Sequence, residues 1–158
     1  MIKYAIVMGV DIMIIMNDLE IRKITENDYS YVCSLYNNEL NIKISQSKFN
    51  ERVNCILENI NHDIFVAVYS ENVIGFVAVE KAMAIECDYI KINGIAVKEN
   101  YQGHGIGSQL ISDAEHYAKE HNIDLIILNS SIQREKAHMF YEKLGFVKSS
   151  YSFRKRID

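Results

Sequence analysis

The sequence predicts an α/β (α+β) fold in which helices cover both faces of a mixed, largely antiparallel central sheet. Two helix-spaced apolar stretches come first, β-rich runs occupy much of residues 64–97, and a long helical stretch follows a glycine-rich loop. The predicted order of elements along the chain is β-α-α-β-β-β-α-β-α-β. Helices segregated around a sheet, with a strand-helix-strand passage late in the chain, are typical of this fold class.

The first third of the chain predicts one strand and two helices. Apolar and charged residues alternate from Leu19 to Lys23, as in a short strand. Thr25 can cap a helix, and the acidic residues that follow it suit a first helical turn. Apolar residues then recur at helical spacing from Val32 to Leu40 and again from Phe49 to Ile60, so two amphipathic helices are expected.

The middle of the chain predicts a hairpin and a third strand. Residues 64–69 and 73–79 are rich in β-branched and aromatic residues, and the polar run 70–72 separates them. Residues 89–97 first alternate and then become continuously apolar, as in a strand that enters the centre of a sheet. Gly94 within this strand is a candidate β-bulge.

The last third predicts two helices and two strands. Apolar residues keep helical spacing from Ile106 to Ala118. Residues 124–129 are expected to form a buried strand, residues 135–144 a short helix, and residues 146–153 a final strand.

The composition indicates one domain that folds without a disulfide or a structural metal. A chain of 158 residues buries about two-thirds of its unfolded surface, which is enough for a core of its own. The net charge of -4 disfavours a nucleic-acid partner, because the phosphate backbone requires a basic face. The short basic cluster 154–156 is expected to face solvent. Cys33, Cys55 and Cys87 lack the spacing of zinc ligands and indicate reduced, mostly buried thiols in a cytoplasmic protein, with no metal expected.

Residues 1–18 form an apolar extension ahead of the predicted domain, which spans 19–158. The stretch from Tyr4 to Met16 is too short to span a bilayer and contains Asp11, so no membrane contact is expected. No cleavage site of small residues follows it, which disfavours a signal peptide. An added strand, a partner contact and a translated extension ahead of Met16 stay open as alternatives.

A glycine-rich loop between a strand and a helix is the strongest chemical signal in the sequence. It runs Gln102-Gly-His-Gly-Ile-Gly-Ser108, and the first turn of the following helix has N–H groups without intrahelical partners. Glycines let the main chain approach a ligand and the helix dipole favours negative charge, so the loop predicts an anion cradle. Its spacing fits neither a dinucleotide fold nor a nucleotide triphosphatase loop. A tight turn without a ligand is the alternative.

Two segments resemble a known family. Gln102-x-x-Gly105-x-Gly107, after the strand Ile95-Ala-Val, resembles the acetyl-coenzyme A (acetyl-CoA) loop of the GNAT family of N-acetyltransferases. The segment from Ala137 to Phe146 resembles that family's second signature helix and the turn after it. The resemblance covers residues 19–158 and implies the family fold, an N-acetyltransferase domain over that range, and acetyl-CoA as co-substrate.

The resemblance also implies roles for individual residues. Main-chain groups of Ile95, Ala96 and Val97 would contact the pantetheine arm, and a main-chain amide of the same strand would face the thioester oxygen. The loop residues would hold the diphosphate, and these are Gln102, Gly103, His104, Gly105, Ile106, Gly107 and Ser108. Tyr141 matches the tyrosine that protonates the leaving thiolate, a role that a phenol within hydrogen-bond reach can fill. Direct attack in a ternary complex needs no enzyme nucleophile, so Cys33 and Cys87 are expected to be core thiols.

Several polar residues near these motifs leave alternatives open. Arg134 departs from the family pattern, which often has asparagine there, and is expected either to contribute to cofactor binding through a phosphate or to face solvent. Glu80, Glu86 and Asp88 are candidates for the base that deprotonates the amine, and none is preferred. His138 could face the acceptor, bind a metal or hydrogen-bond within its helix.

The expected activity is transfer of an acetyl group from acetyl-CoA to the primary amine of a small molecule. The pattern Arg134-x-x-Ala137-His138-x-Phe140-Tyr141, with Phe153 and Lys155 near the end, is similar to acetyltransferases of the aminoalkylphosphonate type. Acetylation of a protein or peptide amine and acyl-CoA sensing without turnover are the alternatives. The first two helices and residues 81–88 are expected to form the walls of the acceptor site, and a homodimer built on the N-terminal extension is compatible with each alternative.

Overall fold

A five-stranded sheet forms the centre of the described part of the chain, residues 18–157 of the computed structural model. Its strands are β1 (Glu20–Lys23), β2 (His62–Tyr69), β3 (Asn72–Met83), β4 (Asp88–Val97) and β5 (Ile126–Leu128). The α-helices are α1 (Tyr29–Asn38), α2 (Gln46–Leu57), α3 (Ile106–Glu120) and α4 (Glu135–Lys143). The predicted extension 1–18 lies outside the described residues except for Asp18.

The strands lie in the sheet in the same order as in the sequence. The first four are antiparallel to one another, and β5 lies parallel to β4 after the crossover through α3. The predicted fold class, a mixed and largely antiparallel sheet with helices on both faces, is confirmed. Among residues 18–157, no helix is both long enough and apolar enough to cross a bilayer.

Alternate side chains of the central strands belong to two separate hydrophobic cores, one on each face of the sheet. On one face, α1 and α2 pack through residues such as Val32 and Phe49 against Phe76 of β3. On the other face, α3 packs through residues such as Leu110 against Val77, the next residue of β3. Neighbouring residues of a strand point to opposite faces, so one continuously apolar strand supports both helical layers.

The β2–β3 hairpin turns through two residues, Ser70 and Glu71. Both have positive φ, 47° and 65°, as a two-residue turn that matches the twist of the strands requires. Asn72, predicted to belong to the turn, begins β3, and its Nδ2 donates to the carbonyl of Ser70 at 2.8 Å. The predicted hairpin is therefore confirmed, with a shorter connection.

A partly buried ion pair holds the start of α1 against β1. Arg22 donates to both carboxylate oxygens of Asp28, at 2.7 and 2.9 Å. The same carboxylate accepts from the main-chain N–H and the hydroxyl of Thr25, at 2.7 and 2.8 Å. These bonds, led by the one from Arg22, hold the pKa of Asp28 below its usual range although burial opposes them.

A bulge interrupts the pairing of β3 with β4. Ala78 pairs with Gly94 whereas Val79 pairs with Ile92, so Asn93 is the extra residue. A Cβ at Gly94 would lie 2.7 Å from the hydroxyl oxygen of Tyr36, so the close approach of α1 requires glycine there. The bulge predicted at Gly94 is confirmed.

The prediction of a final strand and the prediction that the cysteines are mostly buried are wrong. Residues 146–153 form no strand, because β5 has only three residues to pair with and Tyr151 and Phe153 reach no apolar layer, being 87% and 93% exposed. Cys33 is buried as expected, but Cys55 and Cys87 are exposed and so are not core thiols.

Candidate active site

A cleft opens where β4 and β5 separate. The two strands pair only over residues 90–92 of β4 and 126–128 of β5. Beyond Ile92, β4 continues beside β3, but β5 has ended, so one edge of β4 has no strand partner. The space left between the strands has a volume of about 250 Å³.

Residues from distant parts of the sequence line this cleft. They are residues 92–95 of β4, Leu128 at the end of β5, residues 129–131 after it, Leu40 and Ile42 after α1, and Arg134, Tyr141 and Arg154. Residues 81–88, which were expected to form a wall, lie at the β3–β4 hairpin and do not line the cleft. Of the predicted first two helices, only the loop that follows α1 lines the cleft, through Leu40 and Ile42. No residue of α2 lines it.

The open edge of β4 presents main-chain groups of alternate residues. Lys98 donates its N–H to the carbonyl of Ile74 on β3. Alternate residues of an antiparallel strand direct their polar groups to the same side, so Ala96 also faces β3, while Ile95 and Val97 face the open edge. The carbonyl of Val97 is already occupied, because it accepts from Nε2 of Gln102 at 2.8 Å. Of the three predicted strand residues, Ile95 lines the cleft and Ala96 is directed away from it.

The glycine loop presents a row of free main-chain amides. None of the amides of residues 103–108 donates a hydrogen bond to another group of the described chain, and the first helical bond runs from Gln109 N–H to the carbonyl of Gly105. Gly105 precedes α3 with φ of 82°, a conformation that glycine adopts without strain. Free amides at the start of a 15-residue helix can donate hydrogen bonds to an anion.

The side chains of the loop hold it in place. Gln102 bonds the end of β4, as described, and its Nε2 also lies 3.3 Å from a carboxylate oxygen of Glu39 at the end of α1. Ile106 is buried in the core, at 1% exposure. Gly107 lies under the ring of Phe140, since a Cβ there would be 3.1 Å from the ring. These residues can therefore contribute only main-chain groups to a ligand.

His104 and Ser108 complete the predicted loop. The Nδ1 atom of His104 is shielded from solvent and has no hydrogen-bond partner among residues 18–157. Ser108 is exposed in the first turn of α3, with its amide among the free ones.

Tyr141 is fixed on the opposite wall of the cleft by the end of α4. The N–H of Phe146 donates to the carbonyl of Tyr141 at 3.0 Å and that of Gly145 donates to the carbonyl of Glu142 at 3.1 Å, the two bonds of a Schellman ending. The Tyr141 ring packs edge-on against Phe146, with centroids 5.7 Å apart. Burial raises the pKa of Tyr141, and the charge of Arg134 opposes that rise. The phenol is therefore protonated at neutral pH and available as a proton donor.

Arg134 is exposed, which agrees with one of the two expectations stated for it, and its contribution to cofactor binding stays a prediction. Its Nη2 donates to the carbonyls of Leu40 and Glu39, at 3.1 and 3.4 Å. The guanidinium thus fastens the start of α4 to the end of α1 while lining the cleft close to Tyr141.

Asn93 is a cleft residue that the sequence analysis missed. It is the extra residue of the bulge, and its Nδ2 donates to a carboxylate oxygen of Glu80 at 2.7 Å. Of the three candidate bases, Glu80 alone contacts a lining residue in this way, whereas Glu86 and Asp88 are exposed at the β3–β4 hairpin. The predicted bulge was the signal that could have identified Asn93.

His138 hydrogen-bonds locally. Its Nε2 lies 2.9 Å from the carbonyl oxygen of Ser131 and so holds the segment after β5 against α4. Within residues 18–157, no group of three or more His, Cys, Asp and Glu side chains could hold a metal ion.

Comparison with known proteins identifies the family. A sequence model of the acetyltransferase (GNAT) family matches residues 21–146, most of the chain. The chain belongs to the GNAT family. It is thus an N-acetyltransferase by family, and GNAT acetyltransferases use acetyl-CoA.

Individual relatives agree with the GNAT assignment. Aminoalkylphosphonate N-acetyltransferase of Salmonella typhimurium is 28% identical over 135 residues, which cover 84% of this chain and 85% of the relative. A transcriptional regulator from Bacillus halodurans C-125 superposes with a TM-score of 0.80 and 26% identity, covering 88% of this chain and 99% of the other. AAC(6')-Iy, in complex with a bisubstrate analogue built on CoA, superposes with a TM-score of 0.76 and 18% identity over 89% of this chain and all of the other. The last likeness concerns the GNAT fold alone.

Proposed function

We propose that this protein transfers the acetyl group of acetyl-CoA to the primary amine of a small molecule, by direct attack in a ternary complex. The observation that supports this most is the position of three features along the open edge of β4. The free amides of residues 103–108 lie at one end of the open edge of β4, Ile95 lies on that edge, and Tyr141 faces it.

Acetyl-CoA fits this arrangement from end to end. Its diphosphate is an anion for the free amides at the start of α3. Its pantetheine arm takes the place of the missing strand partner of β4, with the main chain of Ile95 as one contact. The thioester then lies near Asn93 and Gly94, opposite Tyr141.

The chemistry needs only groups that line the cleft. Attack by a neutral amine places negative charge on the thioester oxygen, which a main-chain N–H on the open edge of β4 can stabilise. As the C–N bond forms and the C–S bond breaks, the leaving thiolate takes a proton from the Tyr141 hydroxyl. The proton that the attacking nitrogen loses returns through solvent to the Tyr141 phenolate and restores the phenol. None of the three cysteines lines the cleft, so no cysteine is positioned as a nucleophile.

A small acceptor is favoured over a peptide. A cleft of about 250 Å³ must hold the thioester as well as the amine, and the loop with Leu40 and Ile42 closes one side of it. The Salmonella relative, whose name describes a small amine as substrate, supports the same choice.

Tyr141→Phe tests the proposal, because it removes the acid and keeps the ring that packs against Phe146. Release of free thiol from acetyl-CoA should be measured over a panel of small primary amines, and acetyl-CoA binding by calorimetry. We expect kcat to fall by about 100-fold or more, with the dissociation constant of acetyl-CoA unchanged. Tyr151→Phe, at an exposed tyrosine, is the matched control and should behave as wild type.

Two results would contradict the proposal. Full activity of the Tyr141→Phe variant would remove Tyr141 from the mechanism. Tight binding of acetyl-CoA by the wild type without thiol release for any amine would favour the acyl-CoA sensor.

A further inference from the structure

The charged side chains that line the cleft are both cationic. Arg134 and Arg154 line it, and among residues 18–157 no aspartate, glutamate, lysine or histidine does. The chain as a whole carries a net charge of -4. The positive lining is therefore a local property of the cleft.

The two arginines differ in how they are held. Arg134 is fixed by its bonds to the carbonyls of Glu39 and Leu40, and these neutral acceptors leave its charge uncompensated. Arg154 lies on the exposed segment after α4, in the basic cluster 154–156 that was expected to face solvent. Within the described residues, its guanidinium has no hydrogen bond or ion pair. No group among residues 18–157 neutralises the charge of Arg154, which borders the cleft.

A carboxylate lies behind Asn93, one of the lining residues. Glu80 accepts from the Nδ2 of Asn93 at 2.7 Å and does not line the cleft itself. A carboxylate is therefore one hydrogen bond away from the lining at the β3–β4 bulge, and the two lining arginines come from outside the sheet. This polarity matches a small molecule with an amine at one end and an anionic group at the other.

We propose that Arg154, next to the fixed charge of Arg134, binds an anionic group of the acceptor. The acceptor is then a small primary amine that also carries a carboxylate, phosphate or phosphonate, and polycationic amines are poor substrates. This inference rests on the proposed function. Arginine suits the role because its planar fork can bind both oxygens of such a group.

The phosphates of acetyl-CoA are the other source of an anion. The free amides of residues 103–108 already offer a site for the diphosphate, at the end of β4 away from Asn93. Arg154 instead lines the cleft that Tyr141 and the bulge also line, where the proposed function places the thioester. The acceptor is therefore the anion that we expect at Arg154.

Matched amine pairs provide the test. With acetyl-CoA held constant, thiol release should be compared for propylamine against 3-aminopropanoate, and for ethanolamine against its phosphate ester. We expect kcat/KM to be at least about 10-fold higher for the anionic member of each pair, because one charge-assisted contact supplies such a factor. The preference should decrease as salt is raised, since Arg154 is exposed.

Arg154→Ala should lower kcat/KM for the anionic amines by about 10-fold and leave the neutral amines within about twofold. Arg154→Lys keeps the charge and should restore part of the loss. Arg156→Ala, two residues along the same segment and outside the cleft, is the matched control and should equal wild type. Calorimetry of 3-aminopropanoate with the CoA-loaded protein measures the same contact without turnover.

Three results would overturn the inference and leave the proposed function intact. The first is equal kcat/KM for the anionic and neutral amines of each pair. The second is an equal loss of kcat/KM for the anionic and neutral amines in Arg154→Ala. The third is weaker acetyl-CoA binding by that variant, which would mean that Arg154 binds acetyl-CoA rather than the acceptor. Absence of thiol release with every amine would refute the proposed function instead. In that case calorimetry alone tests the inference. Equal binding of 3-aminopropanoate by the wild type and by Arg154→Ala would refute it.

Discussion

Replacing Gly105 with alanine separates the conformation of the glycine loop from its contacts. Gly105 has φ of 82°, and a Cβ added there would meet no atom within 4 Å. The whole cost is therefore conformational, about 1–2 kcal/mol for a left-handed residue with a side chain. In a chain of this length each kcal/mol lowers Tm by about 2–4 °C, so we expect a fall of about 2–8 °C without ligand.

The same substitution should weaken acetyl-CoA binding. If the main chain relaxes from the positive φ, the peptide groups next to Gly105 turn and at least one free amide leaves the anion site. Loss of one hydrogen bond to a charged group costs about 1.5–3 kcal/mol, which corresponds to about 10- to 100-fold in the dissociation constant. Thermal unfolding of the free protein and calorimetry with acetyl-CoA measure the two effects separately.

Gly105→Asn is the control for this argument. Asparagine tolerates the left-handed region better than alanine, so its loss of Tm should be the smaller of the two. The reasoning is refuted if alanine is tolerated as well as glycine in both measurements, or if asparagine is the more damaging substitution.

Two further predictions concern the supports of the site. The pKa of Asp28 is lowered in the folded state, so its ion pair with Arg22 stabilises the fold above the unfolded pKa of about 3.9 and this contribution is lost as pH falls through the folded value. Asp28→Asn should lower the free energy of unfolding by about 2 kcal/mol at pH 7. In urea titrations from pH 7 to pH 3, the difference in this free energy between wild type and variant should shrink. A difference that stays constant with pH would contradict this prediction. Gly145→Ala, at φ of 88° after α4, should lower stability by about 1–2 kcal/mol and lower kcat by displacing Tyr141, and a loss of stability without any loss of kcat would separate the helix ending from Tyr141.

Local patterns predicted most of the fold because each element satisfies its own periodicity. The hairpin strands, the bulge at Gly94 and the helices follow from side-chain spacing and glycine placement. The segment 146–153 shows why a pattern can mislead. Its alternation is compatible with a strand, but a strand also needs a neighbour, and the three residues of β5 provide too little edge.

Part of the site was predictable and part was not. The glycine loop and Tyr141 lie in continuous motifs, so the sequence identified them, and their roles stay predictions. Arg154 and Leu40 border the same cleft from positions more than 100 residues apart. Only the path of the folded chain brings them together, and a single sequence contains no record of that proximity.

The end of α1 has a consequence for protein engineering. The carboxylate of Glu39 accepts from the N–H of Glu99 at 3.2 Å and lies close to Gln102, while its carbonyl accepts from Arg134. One residue therefore contacts both the glycine loop and Arg134, which precedes α4. Substitutions at Glu39 made to redesign substrate choice will combine non-additively with substitutions in the glycine loop, because the two share a partner. Combinatorial libraries for new substrates should vary these positions together.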